Sequence, residues 1–392
     1  MNNQYNYIII GAGAAGFNAA KAIRSKDKTS SILMVSKEDR LPYFRPQVSK
    51  SIVHEVPAKR FYLTNEQWFL DNQIHIELNT TVEEINTDNS YIVIKGIGSL
   101  KFDKLIIAAG ANNFIPPTEG IEKEGVFSLR TIQDAENLKF YMKNSKKAVV
   151  IGAGLLGLEA AWELKQLGLD VKVVELAPCV LQRQLDLEGS NITKDLLKAS
   201  GIEFILGDAC CEILGKEKVE GIKLKSDRVL DTDILLYSIG IRPDIELIKQ
   251  TSIEINRGIV VNDKMETNIP NIYACGDIAE FKKCILGTWP SAIEMGKVAG
   301  LNVVGEESKF ETFVTSTLFN AMNVKIFSCG DLNDEYKTYT LDNLDENNFG
   351  KLFFKDNILV GAYLIGNISK STKIVTCIKN SLSYDDVLAK IL

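Results

Sequence analysis

The feature that most restricts this chain is a pattern that occurs twice. Tyr7-Ile8-Ile9-Ile10 runs into Gly11-Ala12-Gly13-Ala14-Ala15-Gly16, and about 140 residues later Ala148-Val149-Val150-Ile151 runs into Gly152-Ala153-Gly154-Leu155-Leu156-Gly157. Each G-x-G-x-x-G follows a short β-branched run and precedes an apolar stretch of helical spacing, residues 17–23 and 158–167. Each then returns to a strand, at 31–35 and at 170–175. In such a unit the first glycine makes the tight turn, the second lets a pyrophosphate approach the backbone, and the third lets helix and strand pack closely. The helix N-terminus offers free N–H groups and the positive end of its dipole to the phosphates. One copy is weak evidence. Two copies, each in strand–turn–helix–strand context, predict an α/β chain with two dinucleotide-binding units.

Composition narrows the classes that remain. The 392 residues are 45% hydrophobic and 24% charged, enough for two or three domains with their own cores. A net charge of −6 without a basic block argues against nucleic acid or an anionic membrane as partner. No apolar run approaches the roughly 18 residues of a membrane span. The polar start, Met1 to Asn6, lacks the pattern of a signal peptide, so a cytoplasmic protein is expected. Seven cysteines are irregularly spaced, with no C-x-x-C pair, and only two histidines occur, so no metal site is predicted.

Two further apolar runs close on glycine, at 104–110 and 233–240, and each is followed by a proline, Pro116 or Pro243. They read as chain crossings between domains. After Pro270, the run Asn271-Ile272-Tyr273-Ala274-Cys275-Gly276-Asp277 delivers an aspartate to the carboxyl end of a strand, where open parallel sheets bind ligands. From about residue 310 the pattern changes to short alternating strands, expected at 312–318, 324–328, 336–341, 350–355 and 358–365, closed by a helix at 384–391.

The two fingerprints, the glycine crossings and the Cys-Gly-Asp strand together resemble the two-dinucleotide-domain flavoproteins of the glutathione-reductase-like superfamily. Leu41-Pro42-Tyr43-Phe44-Arg45-Pro46-Gln47-Val48-Ser49-Lys50 is similar to the L-P-Y-x-R-P-x-L-S-K segment of rubredoxin and ferredoxin reductases. Leu129-Arg130-Thr131, Leu181-Gln182-Arg183-Gln184-Leu185-Asp186 and Gly287-Thr288-Trp289-Pro290 carry the same resemblance, which reaches over roughly residues 5 to 330 and points toward the NADH:rubredoxin oxidoreductases. It implies Rossmann-like FAD and NAD domains, the NAD domain inserted in the FAD domain. The FAD domain would be 1–110 resumed by 242–308, the NAD domain 111–241, and a small α+β domain 309–392.

By the same resemblance, Gly11, Gly13, Ala15 and Gly16 would hold the FAD pyrophosphate. Lys37 stands where the family usually has the acidic ribose ligand and Glu38 follows it, so Glu38 is the candidate and Lys37 the alternative. Arg45, Lys50, Val82, Arg130, Ala109 and Gly110 match positions at the FAD, with Ala109 where many members have Thr. Asp277 would bond the ribityl chain and Trp289 would lie against the flavin ring. Lys50 would place positive charge near the flavin N5.

The second fingerprint ends its βαβ unit on Glu175, 23 residues after Gly152, with no Arg in the next seven residues. A carboxylate there accepts both ribose hydroxyls and repels a 2′-phosphate, favouring NADH over NADPH. Gly152, Gly154, Gly157 and Gly240 complete the expected nucleotide loop. Glu159 is expected on the first helical turn, facing nicotinamide and flavin, where it and Lys50 are the catalytic candidates; a bare dipole role for Glu159 is the alternative. No cysteine precedes Cys179, so the thiol that disulfide reductases of the superfamily carry after the first fingerprint is missing. Electrons would leave the flavin directly, to rubredoxin or another small one-electron carrier. Lys50, Lys59, Arg60 and Lys325 are candidate docking cations. An NADH oxidase, or a non-catalytic FAD-binding protein, stays open as an alternative, and the short C-terminal domain is compatible with a monomer.

Overall fold

The computed structural model describes residues 3–52, 61–341 and 348–391. The chain separates into two compact units, each built from distant segments: Met1–Gln47, Val56–Asn112 and Ile241–Thr312 form the first, and Val48–Glu55, Asn113–Gly240 and Phe313–Leu392 the second.

The first unit is organised by a seven-stranded sheet. Ile74–Glu77, Ile32–Val35, Gln4–Ile10 and Gly98–Ile107 run parallel in that order, and Ile272–Ala274 adds to Gly98–Ile107 in parallel. Tyr91–Ile94 and Val82–Asn86 continue it antiparallel. The parallel strands are nearly unbroken apolar runs because both faces are covered: Ile8, Ile9, Leu33, Leu105 and Ile106 are fully buried. One cover is the helix Ala14–Lys26 packed on Trp289–Val303. That contact is a small-residue seam. A Cβ on Gly296 would collide with the Ala15 carbonyl, and one on Gly300 with that of Ala19.

The second unit contains a five-stranded parallel sheet in the order Glu203–Leu206, Asp170–Glu175, Lys147–Ile151, Ile234–Tyr237, Val126–Ser128. A three-stranded antiparallel sheet, Cys210–Leu214, Gly221–Leu224 and Val229–Asp231, packs with it. The C-terminal part is a five-stranded antiparallel sheet, Ser316–Ala321, Val324–Gly330, Ile358–Ile365, Phe349–Lys355 and Lys337–Thr340, covered by the helices Ser371–Lys379 and Tyr384–Ile391.

Two groupings differ from the sequence reading. Val48–Glu55, expected with the FAD-binding part, joins the second unit, because the turn Lys50–Ile52 packs on the helices Ile132–Tyr141 and Leu155–Gln166 and Ile52 is fully buried. The C-terminal sheet, expected as a separate domain, shares that unit too. Asp186, which caps the helix Leu187–Leu197, binds Lys351 Nζ at 2.6 Å and the Tyr363 hydroxyl at 2.7 Å. The Tyr363 ring packs against Gly189, where no side chain would fit. Among the described residues no helix is long and apolar enough to cross a membrane.

Candidate nucleotide sites

In the first unit the chain turns at Gly11, whose φ of +106° favours glycine. A Cβ there would strike the Ala108 carbonyl, and one on Gly16 would strike the Gly11 carbonyl. Gly13 is different: among the described residues a Cβ would meet nothing within 4 Å. The first and third glycines are therefore required by the protein's own packing, and the second faces open space that suits a ligand's phosphates. Gly13 is also the N-cap of the helix Ala14–Lys26, with no side chain of its own to satisfy the free amides. Ala15, in the first turn, touches Gly276 and the seam helix.

Of the residues expected around the first site, Glu38, Arg45, Val82, Ala109, Gly110, Asp277 and Trp289 belong to this unit, whereas Lys50 and Arg130 belong to the second. Glu38 accepts from the Tyr43 hydroxyl at 2.6 Å and from Arg45 Nη2 at 2.5 Å. Arg45 also lies over the Tyr43 ring, 5.0 Å from its centroid, and feels the charge of Asp277. Lys37 points elsewhere, to Asp244 at 3.0 Å. Glu38 is thus the inward carboxylate and Lys37 a surface ion pair. Asp277 stands on the turn Gly276–Ile278 just beyond the strand Ile272–Ala274. Ala109 and Gly110 follow the strand Gly98–Ile107, with Gly110 at φ +77°. Val82 is buried at the start of its strand. Trp289 begins its helix behind the Thr288 cap, edge-on to Phe44 with ring centroids 5.0 Å apart. Tyr43 is the Tyr of the L-P-Y-x-R-P segment and Phe44 its variable position, and the sequence does not announce the rings and cation they meet, Phe61 and Arg45 for Tyr43 and Trp289 for Phe44.

The second fingerprint repeats the geometry. Gly152 turns at φ +112° against the Ser238 carbonyl, Gly157 presses on Gly152, and a Cβ on Gly154 would meet open space. Gly154 caps the helix Leu155–Gln166. Gly240, at φ +102°, also faces open space. Glu175 ends its strand and accepts from the amides of Ala153 and Ala177, both at 2.8 Å. Each carboxylate oxygen keeps a further lone pair for a ribose hydroxyl. Arg130 precedes the Thr131–Asp134 capping box of the helix Ile132–Tyr141, and its amide donates to Asp134.

Glu159 needs a correction. The helix starts at Leu155, so Glu159 lies in the second turn, where the dipole has little effect. It is half-buried instead. Burial pushes its carboxyl above the usual range, partly opposed by the Lys50 charge and by the Ser49 hydroxyl, which donates to it at 3.3 Å. The structure thus brings Lys50, Ser49 and Glu159 together in the second unit. Lys59 and Arg60 lie outside the described residues, and Lys325 is exposed on the C-terminal strand Val324–Gly330.

The sequence model of the pyridine nucleotide-disulphide oxidoreductases matches residues 5–296, and that of the rubredoxin NAD+ reductase C-terminal domain matches 316–382. The chain belongs to the pyridine nucleotide-disulphide oxidoreductase family. It is an oxidoreductase of that family with FAD and NADH as cofactors. It is 32% identical to the NADH-rubredoxin oxidoreductase of Clostridium acetobutylicum over 97% of this chain and 96% of that protein. The corresponding crystal structure superposes with a TM-score of 0.83, at 31% identity, covering 99% of this chain and 100% of that one. It is also 35% identical to the nitrite reductase [NAD(P)H] of Bacillus subtilis over 97% of this chain but spans only 48% of that protein's length. A third relative, 37% identical over 82% of this chain and 75% of its own length, is the NADH oxidase of Methanocaldococcus jannaschii.

Proposed function

We propose that the protein takes hydride from NADH onto FAD and passes electrons singly to a small iron–sulfur carrier protein, a rubredoxin in the first instance. The observation that carries this reading is the match, over nearly the full length of both chains, to an NADH-rubredoxin oxidoreductase. The cysteine pattern supports it. No cysteine precedes Cys179, so no thiol follows the first fingerprint to take electrons onward. Cys275, two residues from Asp277, is fully buried, and burial pushes its thiol up to about 12, leaving it an inert core residue.

The residues present fit the two dinucleotides. The open faces at Gly13 and Gly154 admit the phosphates against a helix N-terminus that has no internal cap. Glu38 would orient the FAD ribose, Asp277 the ribityl hydroxyls, and Trp289 would supply an apolar surface to the ring. Arg45, Lys50, Val82, Ala109, Gly110 and Arg130 complete the contacts expected at FAD. When bound, FAD takes up a hydride and releases two electrons separately; that chemistry is the cofactor's. Glu175 would fix the NADH ribose and disfavour a 2′-phosphate. Lys50 and Glu159 would set the charge where nicotinamide enters, with Glu159 holding its proton more readily than a free glutamate because it is buried.

An anaerobic acceptor screen of the pure yellow protein with NADH tests this. Rubredoxin should be turned over far faster than glutathione disulfide. Oxygen is the second reading, favoured by the relative named NADH oxidase. Peroxide or water formation in air as fast as carrier reduction would select it instead.

A further inference from the structure

Among the described residues, three two-residue stretches hold both residues in the left-handed region, as tight β-hairpin turns require: Met322-Asn323, Asp356-Asn357 and Lys282-Lys283. Asp356-Asn357 uses residues that tolerate this conformation, and Met322-Asn323 places one such residue beside a buried Met. The third uses two lysines, at φ +49° and +64°, with nothing in either side chain to relieve the strain. The turn is closed tightly. Phe281 and Cys284 exchange both backbone hydrogen bonds, at 3.0 and 2.9 Å. Strain held at an exposed tip by a well-bonded frame is an observation that asks for a use.

What the tip presents is charge. Lys282 and Lys283 are both exposed, and among the described residues neither takes part in an ion pair. Lys282 is steadied over the Phe281 ring, 5.1 Å from its centroid. Arg257 lies behind the turn and donates to the Lys283 carbonyl at 2.5 Å, adding a third cation. Lys309 lines the same concavity of about 1010 Å³. Of the carboxylates lining it, Glu280 is turned inward to the Asn256 side chain and the Arg257 and Gly258 amides, and Asp263 is paired with Lys309. Glu254 and Glu311, both exposed, also line it. On a chain of net charge −6 the tip is a local basic point.

Its place in the chain matters. Lys282 follows Asp277 by five residues, so the extended-chain limit keeps the two Cα atoms within roughly 18 Å. We propose that the Lys282–Lys283 tip, backed by Arg257, is the docking element for an acidic electron-carrier protein. This rests on the reading of Asp277 as a flavin contact and of a carrier protein as acceptor. The tip steers a negatively charged partner that the net charge of the chain repels, and holds it close to where electrons leave. The lysines are kept there against the backbone preference because Asn-Gly, which would relax the turn, would discard the charge.

The test compares wild type with K282Q/K283Q and K282N/K283G, using rubredoxin as carrier and ferricyanide as a small control acceptor. Both variants should lower kcat/KM for rubredoxin at low salt by about three- to tenfold and flatten its salt dependence. Reduction of the flavin by NADH and of ferricyanide should stay unchanged. K282N/K283G should also raise Tm, and K282Q/K283Q should not. Rubredoxin turnover and salt dependence equal to wild type in both variants overturns the docking role while leaving the acceptor assignment intact. Ferricyanide turnover by wild type without any rubredoxin turnover overturns the acceptor assignment, and the docking role with it.

Discussion

Glu175 and Ala153 are joined by a hydrogen bond of 2.8 Å from the Ala153 amide to the carboxylate, 22 residues along the chain. The residue expected to recognise the NADH ribose therefore also fixes the loop expected to recognise its phosphates. Glu175→Ala should lose both effects. Steady-state kinetics should show KM for NADH raised about 10- to 100-fold, from the loss of charge-assisted bonds of roughly 1.5–3 kcal/mol. The preference over NADPH should narrow at the same time. Glu175→Gln, which retains one acceptor oxygen, should fall between. An unchanged ratio of kcat/KM for the two nucleotides in Glu175→Ala would remove the residue from the specificity site.

The glycines separate folding from binding. Gly13 has φ −74° and ψ −168°, which alanine adopts freely, and open space around its missing Cβ. Gly13→Ala should leave the apoprotein's Tm near wild type, yet weaken FAD about tenfold or more by standing where the phosphates approach. Gly16→Ala, driven into the Gly11 carbonyl, should not fold. Full FAD affinity in Gly13→Ala, measured by flavin fluorescence on titration, would contradict the site.

That contrast shows what was legible in the sequence. The two fingerprints could be read because each glycine answers a local geometric need, and the strands around them are runs buried on both faces. The C-terminal helix Ser371–Lys379 carries no such local signal. Ser-Thr-Lys-Ile-Val-Thr-Cys-Ile-Lys is rich in β-branched residues of weak helix propensity, and packing of Ile374 and Cys377 into the C-terminal core decides it. The strand expected from 312 begins only at Ser316. Phe44 against Trp289, and Asp186 against Lys351, join residues 245 and 165 positions apart, and nothing local in the chain announces such a pair. Chain order makes Glu38 the candidate and Lys37 the alternative, but that Glu38 bonds Tyr43 and Arg45 while Lys37 pairs with Asp244 is not visible in the sequence.

The Asp186–Lys351 pair should hold the C-terminal sheet on its neighbour. Burial alone would raise the Asp186 carboxyl, but the Lys351, Gly189 and Tyr363 bonds outweigh it and bring the carboxyl below its usual range. Burial would lower Lys351, but Asp186 and Glu188 outweigh it and raise it. The Asp186 contribution is therefore present above the ordinary carboxylate value of about 3.9 and is lost as pH falls through the lowered one. The Lys351 contribution is present below about 10.4 and is lost as pH climbs through the raised one. Lys351→Met should cost about 3 kcal/mol at neutral pH, as expected for leaving one partner of a buried pair alone. Tyr363→Phe should cost about 1 kcal/mol. Denaturant melts across pH would show the loss at both extremes in wild type and a flatter profile in Lys351→Met.

Glu159 and Lys50 make a prediction in the reductive half-reaction. Because burial raises the Glu159 carboxyl, flavin reduction by NADH should show an ionisation above the glutamate value of about 4.3. Lys50→Met should slow reduction in stopped flow with FAD still bound, and should move that ionisation upward, since the lysine charge lowers it. Glu159→Gln should abolish it. Identical rates and pH profiles in all three proteins would leave the pair structural.

The central claim is that electrons pass from NADH to a carrier protein through FAD with no thiol between. The direct measurement is anaerobic rubredoxin reduction with NADH by Cys284→Ser, which removes the thiol beside the Lys282–Lys283 turn, before and after exhaustive alkylation of its remaining exposed cysteines, Cys211 among them. The account predicts the same rate of rubredoxin reduction in both preparations, with one FAD per chain reduced by one NADH. Loss of turnover on alkylation, together with reduction of glutathione or thioredoxin disulfide by the untreated protein, would contradict it.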